Sequence, residues 1–129
     1  MTEPSWTPIS LPAEFKPPVG AYSPAVRAGN LIFVSGQVPK DPQTGATLGT
    51  DVGEQTRAVM ANTERVLKAA GASLRDVVCV TAYLQRIDDW DAFNAVYRTL
   101  FQPPYPARTT VGADLHGFLV ELSVIAAVR

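Results

Sequence analysis

Two charged residues occupy positions from which they could act on a small acidic substrate, and the first of them is an arginine. Arg108 follows a proline-rich stretch at residues 102–106 and opens a predicted strand, so its backbone position is well fixed. A guanidinium at a strand end can hold a carboxylate through two parallel hydrogen bonds. The alternation of the strand places Thr110 and Gly112 on the same face. A surface or interface arginine paired with a carboxylate is the alternative, and this feature alone favours it.

The second charged residue is a glutamate within the most apolar stretch of the chain. Glu121 lies in the middle of a predicted strand, where a charged side chain is rare unless it is paired or functional. It could pair with Arg108, or it could be a general acid/base whose pKa is moved by its surroundings. The sequence leaves both interpretations open.

Four further polar or small residues are candidates for a binding pocket. Asn94 interrupts the apolar stripe of a predicted helix, and because a buried amide must be hydrogen-bonded, we expect it to tie that helix to a neighbouring loop. Ser35 and Gly36 end a predicted strand, where the glycine would let a ligand approach the backbone closely. Tyr22 could offer a hydroxyl to a pocket, although a packed tyrosine is the simpler interpretation.

Several classes of function lack the residues they would need. Cys79 is the only cysteine and His116 the only histidine, which excludes an internal disulfide and leaves little for a zinc site or a Ser-His-Asp triad. We expect Cys79 to be a buried apolar residue and His116 an exposed loop residue. The net charge of -1 does not provide the excess of positive charge that binding of nucleic acid requires. No apolar run approaches the length of a membrane span. The N-terminus lacks the pattern of a signal peptide, so we expect a soluble cytoplasmic protein.

The chain predicts one α/β domain over residues 1–129, which begins with an extended arm at residues 1–18 because proline is frequent there. Asp51 is a plausible N-cap for a long helix that ends at Gly71. Asp88 or Asp89 would cap a second helix, which the prolines at 103–106 stop. Its apolar stripe consists of Trp90, Phe93, Tyr97, Leu100 and Phe101. Strands are predicted at 21–26, 31–36, 77–84, 108–113 and 119–128, with a loop at 39–49.

The order of these elements predicts a sheet that carries both helices on one face. In the last strand, the row Val120, Leu122, Val124, Ala126 and Val128 is wholly apolar and suited to packing under the helices. Val78, Val80, Ala82 and Leu84 form a similar row in the strand at 77–84. The opposite rows are too apolar for open water and too polar for a deep core. A symmetric oligomer would cover this second face, and a monomer with a partly apolar open sheet is the alternative.

These pieces, taken in order, resemble the RidA (YjgF) family from about Val19 to Arg129. The runs Ser-Gly-Gln-Val-Pro at 35–39 and Pro-Ala-Arg-Thr at 106–109 are the most specific parts of the resemblance. The other matching segments are Gly-Ala-Tyr-Ser at 20–23, Glu-Gln-Thr at 54–56, Ala-Ala-Gly-Ala-Ser-Leu at 69–74, Phe-Asn-Ala-Val-Tyr at 93–97 and Val-Glu-Leu at 120–122.

The resemblance implies a chorismate-mutase-like fold that assembles as a homotrimer around a central barrel, with pockets between subunits. Enzymes of the family hydrolyse 2-imino acids and their enamine tautomers to 2-oxo acids and ammonia, without a metal or an organic cofactor. Arg108 matches the carboxylate-binding arginine and Glu121 the glutamate associated with the attacking water, where Tyr22 would assist. Ser35, Gly36 and Asn94 match other pocket positions.

The chain departs from the family pattern at two places. Thr110, a candidate substrate-binding residue, stands where many members have a cysteine, which argues against a thiol-dependent role. The stretch between Arg108 and Glu121 is also shorter than in the best-known members, so the loop around His116 could reshape the mouth of the pocket. Two other functions stay open: a non-catalytic trimer that binds small carboxylates or partner proteins, and an endoribonuclease. The net charge and the lack of basic clusters weigh against the endoribonuclease.

Overall fold

A single mixed sheet carries both helices, as a computed structural model describes them over residues 2–129. The strands are β1 (Thr7–Ile9), β2 (Ala25–Ala28), β3 (Leu31–Gln37), β4 (Val77–Leu84), β5 (Ala107–Gly112) and β6 (Val120–Ala127). The helices are α1 (Val52–Ala69) and α2 (Trp90–Leu100), and short 3-10 turns at Leu74–Asp76 and Ile87–Asp89 precede β4 and α2.

The strands lie in the order β1-β2-β3-β6-β4-β5, which makes β5 an edge strand. Only the β4–β5 pair, which α2 connects, is parallel among the pairs of residues 2–129. Helix α1 packs on β3 and β6, and α2 packs against α1. We call the side of the sheet under the helices the helix face and the other side the open face. The predicted mixed sheet with two helices on one face is confirmed.

Helix α1 begins and ends at the residues that its sequence predicts. The Asp51 carboxylate accepts a hydrogen bond from the Glu54 backbone N–H at 2.8 Å, and the Glu54 carboxylate accepts one from the Thr50 N–H at 2.9 Å. The first bond satisfies a donor that the first turn of a helix leaves free, and the second ties the residue before the N-cap to the helix. Gly71, at φ +80°, turns the chain away after the last helical turn.

Helix α2 begins differently from the prediction of a side-chain cap. Asp89 occupies the N-cap position, but among residues 2–129 its carboxylate receives no capping hydrogen bond. The 3-10 turn at Ile87–Asp89 leads directly into the helix, and the Trp90 N–H already bonds to the Ile87 carbonyl. The backbone of the turn therefore replaces the carboxylate as the acceptor at this end of the helix.

The core lies between the helix face and α1, and the apolar row of β6 forms the sheet side of this core. Val120, Leu122, Val124 and Ala126 are buried as predicted. In β4 the predicted row is wrong at one end, because Val78 is 47% exposed while Val77 is buried. Val77 pairs with Ala126 and Cys79 with Ile125, so one extra residue bulges from β4 and reverses the alternation there. Cys79 is consequently half-buried on the open face, and not in the core.

The first hairpin starts later in the chain than predicted. Residues 21–24 precede β2, which begins at Ala25. The Ser35 N–H still bonds to the Pro24 carbonyl, but proline has no N–H to return a bond, so the regular ladder ends there. Within the N-terminal arm, β1 pairs antiparallel with β2 and extends the sheet by one strand. His116 is exposed in the loop between β5 and β6, as predicted.

Candidate active site

Arg108 lies on edge strand β5 with its side chain on the helix face. It is in register with Val80 of β4, a fully buried residue of the core. Its Nη1 donates a 2.9 Å hydrogen bond to Oδ1 of Asn94 on α2. The expectation that Asn94 ties its helix to a loop is therefore wrong, because its partner is a guanidinium that comes from a strand distant in sequence.

Aromatic rings of α2 surround the same guanidinium. The Cζ of Arg108 lies 4.5 Å from the ring centroid of Tyr97, 5.3 Å from that of Phe93 and 5.4 Å from that of Trp90. These distances are within the range of cation–π attraction. The apolar stripe predicted for α2 is real, but part of it contacts a charged group, which the spacing of the stripe could not reveal.

A cavity of about 490 Å³ opens beside Arg108, large enough for a small organic acid. Two arginines line the cavity. The observed hydrogen bond of the Arg108 guanidinium goes to a neutral amide, so its charge remains available to an anion. The residues that line this cavity are Asn94, Tyr97, Arg98, Tyr105, Pro106 and Arg108.

Two buried hydroxyl groups belong to the elements that meet at Arg108, one on α2 and one on β5. Within the described part of the chain, neither the Tyr97 phenol nor the Thr110 hydroxyl has a hydrogen-bond partner. Burial raises the pKa of Tyr97 to about 12, against the opposing effect of the nearby Arg108 charge, so this phenol stays protonated at neutral pH. Thr110 lies in register with Ala82 and therefore on the same face as Arg108, as predicted.

Glu121 lies on the open face, in register with Tyr83 of β4. It is half-buried, and burial raises the pKa of its carboxyl above the ordinary value of 4.5. Gly36 lies directly against it, in a bulge of β3 opposite β6. A Cβ at position 36 would overlap the Glu121 carboxylate, so the absence of a side chain there makes room for this group. The position of Gly36 at a strand end predicts a close approach by a ligand, whereas within the chain its neighbour is Glu121.

Tyr22 and Ser35 line a groove of about 750 Å³ at the β2–β3 end of the sheet. The Ser35 hydroxyl donates a 2.7 Å hydrogen bond to the Ser23 carbonyl, which anchors the segment that carries Tyr22. The Tyr22 side chain is about half exposed. The residues that line the groove are Trp6, Gly20, Ala21, Tyr22, Ser23, Val26, Phe33, Val34 and Ser35.

The candidate residues thus form three groups within one chain. Arg108, Asn94 and Thr110 lie on the helix face at the β5 edge, whereas Glu121 lies on the open face next to Gly36. Since alternate residues of a strand point to opposite faces, Arg108 and Glu121 do not face each other within a chain. Tyr22 and Ser35 lie on the β2–β3 side, several strands from β5.

Two structural features bear on other classes of site. No group of three or more His, Cys, Asp or Glu residues within residues 2–129 is placed to hold a metal ion. Over the same residues, neither helix has the length and apolar character needed to cross a membrane.

Comparisons with known proteins agree on one family. The sequence profile described as Endoribonuclease L-PSP matches residues 14–128. A RutC family protein of Pyrococcus abyssi is 44% identical over 111 residues, which cover 84% of this chain and 87% of the relative. The 2-iminobutanoate/2-iminopropanoate deaminase of Rattus norvegicus is 38% identical over 110 residues, which cover 84% and 80%.

Solved structures show the same fold. The crystal structure of Escherichia coli TdcF with bound serine superimposes with a TM-score of 0.86 at 30% identity and covers 95% of this chain and 99% of its own. The profile match, the relatives and this structural similarity confirm the resemblance that the sequence motifs predict, and the chain belongs to the RidA (YjgF) family, whose profile is described as Endoribonuclease L-PSP.

Proposed function

We propose that the protein hydrolyses reactive 2-imino acids and their enamine tautomers to 2-oxo acids and ammonia. The observation that supports this most is the Arg108 guanidinium, which is held by Asn94 and three aromatic rings beside a cavity of about 490 Å³. Such a group binds a small carboxylate, the feature shared by all 2-imino acids. The deaminase name of the rat relative supports the same activity.

The separation of the candidate residues supports a site completed by a second copy of the chain. Arg108 and Glu121 lie on opposite faces of the sheet, so one chain cannot present both to one small substrate. The open face also carries apolar side chains at Phe33 and Ile125 that a partner subunit would cover. In the proposed homotrimer, the open faces form a barrel and each pocket combines Arg108 of one chain with Glu121 and Tyr22 of a neighbour.

The proposed reaction is a hydrolysis whose protons and electrons balance without a cofactor. Arg108 holds the carboxylate, and backbone groups near Gly36 orient the imine. Glu121 accepts a proton from water while the water oxygen bonds to the imine carbon, whose π electron pair moves to nitrogen. Glu121 returns this proton to the nitrogen. It then takes the hydroxyl proton and passes it to the nitrogen, which leaves as ammonia while the C=O bond forms. Burial raises the pKa of Glu121, which makes its carboxylate a stronger base than an exposed glutamate and suits a group that accepts and returns a proton.

Steady-state hydrolysis of a freshly generated 2-imino acid tests this function. We expect ammonia and the 2-oxo acid to form faster with the protein than in buffer, with the difference proportional to protein concentration. A protein that binds pyruvate but leaves the rate of imine hydrolysis unchanged would instead be a carboxylate-binding module, because binding and catalysis would use the same arginine.

The endoribonuclease description of the family supports a second assay on the same preparation. The net charge of -1 provides little attraction for a phosphate backbone, so we expect no useful cleavage of RNA. Cleavage that is lost in an Arg108→Ala variant would contradict the deaminase assignment.

The proposed trimer predicts a mass in solution of three times the 13.8 kDa chain. We expect the trimer to form because it removes the apolar part of each open face from water. Light scattering at micromolar protein measures the mass. A monomer at that concentration would contradict the shared pocket, and the proposed mechanism with it.

A further inference from the structure

We infer that Trp90 and Tyr97 are positioning residues that hold the Arg108 guanidinium ready for a carboxylate. The inference rests on the proposed function for its biological meaning, but its physical content is a property of Arg108 alone. The residues concerned lie on one helix, and neither belongs to the catalytic and binding residues that the family motifs indicate.

The spacing along α2 explains how one helix surrounds one guanidinium. One face of the helix carries all four residues, because Phe93, Asn94 and Tyr97 lie three, four and seven positions after Trp90. That face lies over the edge of β5, where Arg108 projects from the strand. Asn94 accepts a hydrogen bond from Nη1, while the rings approach Cζ at 4.5–5.4 Å. The amide thus holds one nitrogen of the guanidinium, and the rings restrict the space in which the group can move.

The three rings differ in burial, and this difference separates packing from positioning. Phe93 and Tyr97 are buried, and both contribute to the core. Trp90 is 39% exposed and lies at the first residue of α2. An exposed tryptophan contributes little to a core, but its ring is the strongest partner for a cation among the aromatic side chains. Trp90 is therefore the ring whose removal should affect Arg108 more than the fold.

Holding the guanidinium should strengthen its grip on a carboxylate in two ways. A free arginine loses rotamer freedom when it forms a two-pronged ion pair, and a side chain already fixed loses less. Aromatic rings also displace water from the guanidinium, so less water must leave when the ligand arrives. The carboxylate is held equally before and during the reaction, so the effect should fall on KM and leave kcat nearly unchanged.

The first test compares Trp90→Phe with Trp90→Leu, because phenylalanine keeps a ring and leucine does not. We expect Trp90→Leu to weaken pyruvate binding, measured by calorimetry, about 5- to 30-fold, with a similar rise in KM for the imine, and Trp90→Phe to restore most of the loss. Ile87→Ala is the matched control, since Ile87 is half exposed in the turn just before Trp90. The inference would be overturned if Trp90→Leu bound pyruvate as tightly as the wild type, or if both Trp90 variants lost the same affinity.

The second test asks whether the ring's electrons matter, which a purely structural role would not require. Replacing Trp90 site-specifically by mono-, di- and tetrafluorinated tryptophan weakens the ring's attraction for a cation with little change in shape. We expect the dissociation constant for pyruvate to rise with each step of fluorination. No trend across the series would count against the cation contact.

The third test needs no ligand and so separates this inference from the proposed function. The Nε–H of Arg108 gives an NMR signal whose order parameter reports guanidinium motion on the picosecond to nanosecond timescale. We expect a rigid Nε–H in the wild type and a mobile one in Trp90→Leu and Tyr97→Leu, with Tyr97→Phe close to wild type. A mobile Arg108 in the wild type would overturn the inference. A rigid Arg108 in a protein without deaminase activity would leave it standing and reject only the proposed function.

Discussion

Arg108→Ala is expected to abolish imine hydrolysis while the protein remains folded. Arg98 and Arg108 both line the α2 cavity, but among residues 2–129 only Arg108 has its guanidinium held there by a hydrogen bond to a neutral partner, so its loss removes the fixed carboxylate grip. Truncating one member of a hydrogen-bonded charge pair costs about 2–5 kcal/mol, which is roughly 30-fold to several-thousand-fold in kcat/KM. Turnover of a freshly generated 2-imino acid and calorimetric binding of pyruvate should fall together.

Arg108→Lys and a distant arginine separate bidentate binding from general attraction. Lysine keeps the charge but lacks the planar fork that meets both carboxylate oxygens, so it should recover little activity. Arg57→Ala, on the exposed side of α1, removes one positive charge elsewhere and should behave as the wild type. If Arg108→Lys worked nearly as well as the wild type, electrostatic attraction alone would suffice and the two-pronged model would be wrong.

The local elements were predictable because their signals are local. The N-cap at Asp51 and the glycine at 71 bound α1, and a run of β-branched residues predicts β4 at the observed Val77–Leu84. The alternation along β6 correctly assigned its buried row. The error at Val78 has a non-local cause, because the bulge depends on how β4 aligns with β6, and that alignment is not written in either strand alone.

The candidate site was predictable as a set of residues but not as an arrangement. The partner of Asn94 is Arg108, which lies fourteen positions away in the chain and reaches α2 only because β5 is placed next to β4. The opposite faces of Arg108 and Glu121 likewise follow from strand order and register. The spacing of Trp90, Phe93 and Tyr97 predicts a shared face, but the charge that this face contacts comes from another element.

Glu121→Gln is expected to separate catalysis from binding. Glutamine keeps the shape and can still form hydrogen bonds, but it cannot accept the proton of the attacking water. If Glu121 activates water, turnover should fall roughly 10²–10⁴-fold while pyruvate binding is retained. Ser123→Ala, two residues further on the same row of β6, is the matched control and should leave both measurements unchanged.

The pH dependence of turnover adds a second signature of the same group. Burial favours the neutral carboxyl, so Glu121 keeps its proton to a pH above its ordinary pKa of 4.5. A protonated carboxyl cannot act as a base, so wild-type turnover should fall as the pH drops through this raised pKa. The acidic limb should be missing from the profile of Glu121→Gln, whose residual activity has no carboxylate to titrate at this position.

The contribution of Glu121 to the stability of the fold changes with pH in the opposite direction to turnover, so stability and turnover should be measured separately. Because the folded state binds the Glu121 proton more tightly than the unfolded chain does, the carboxyl stabilises the fold at low pH, and that contribution is lost as the pH rises from 4.5 through the raised pKa. If the amide of Glu121→Gln were buried without a hydrogen-bond partner, the protein would lose about 1–3 kcal/mol of stability. The mass of the oligomer must therefore be measured together with activity. A trimeric Glu121→Gln protein with wild-type turnover and an unchanged acidic limb would rule out Glu121 as the base.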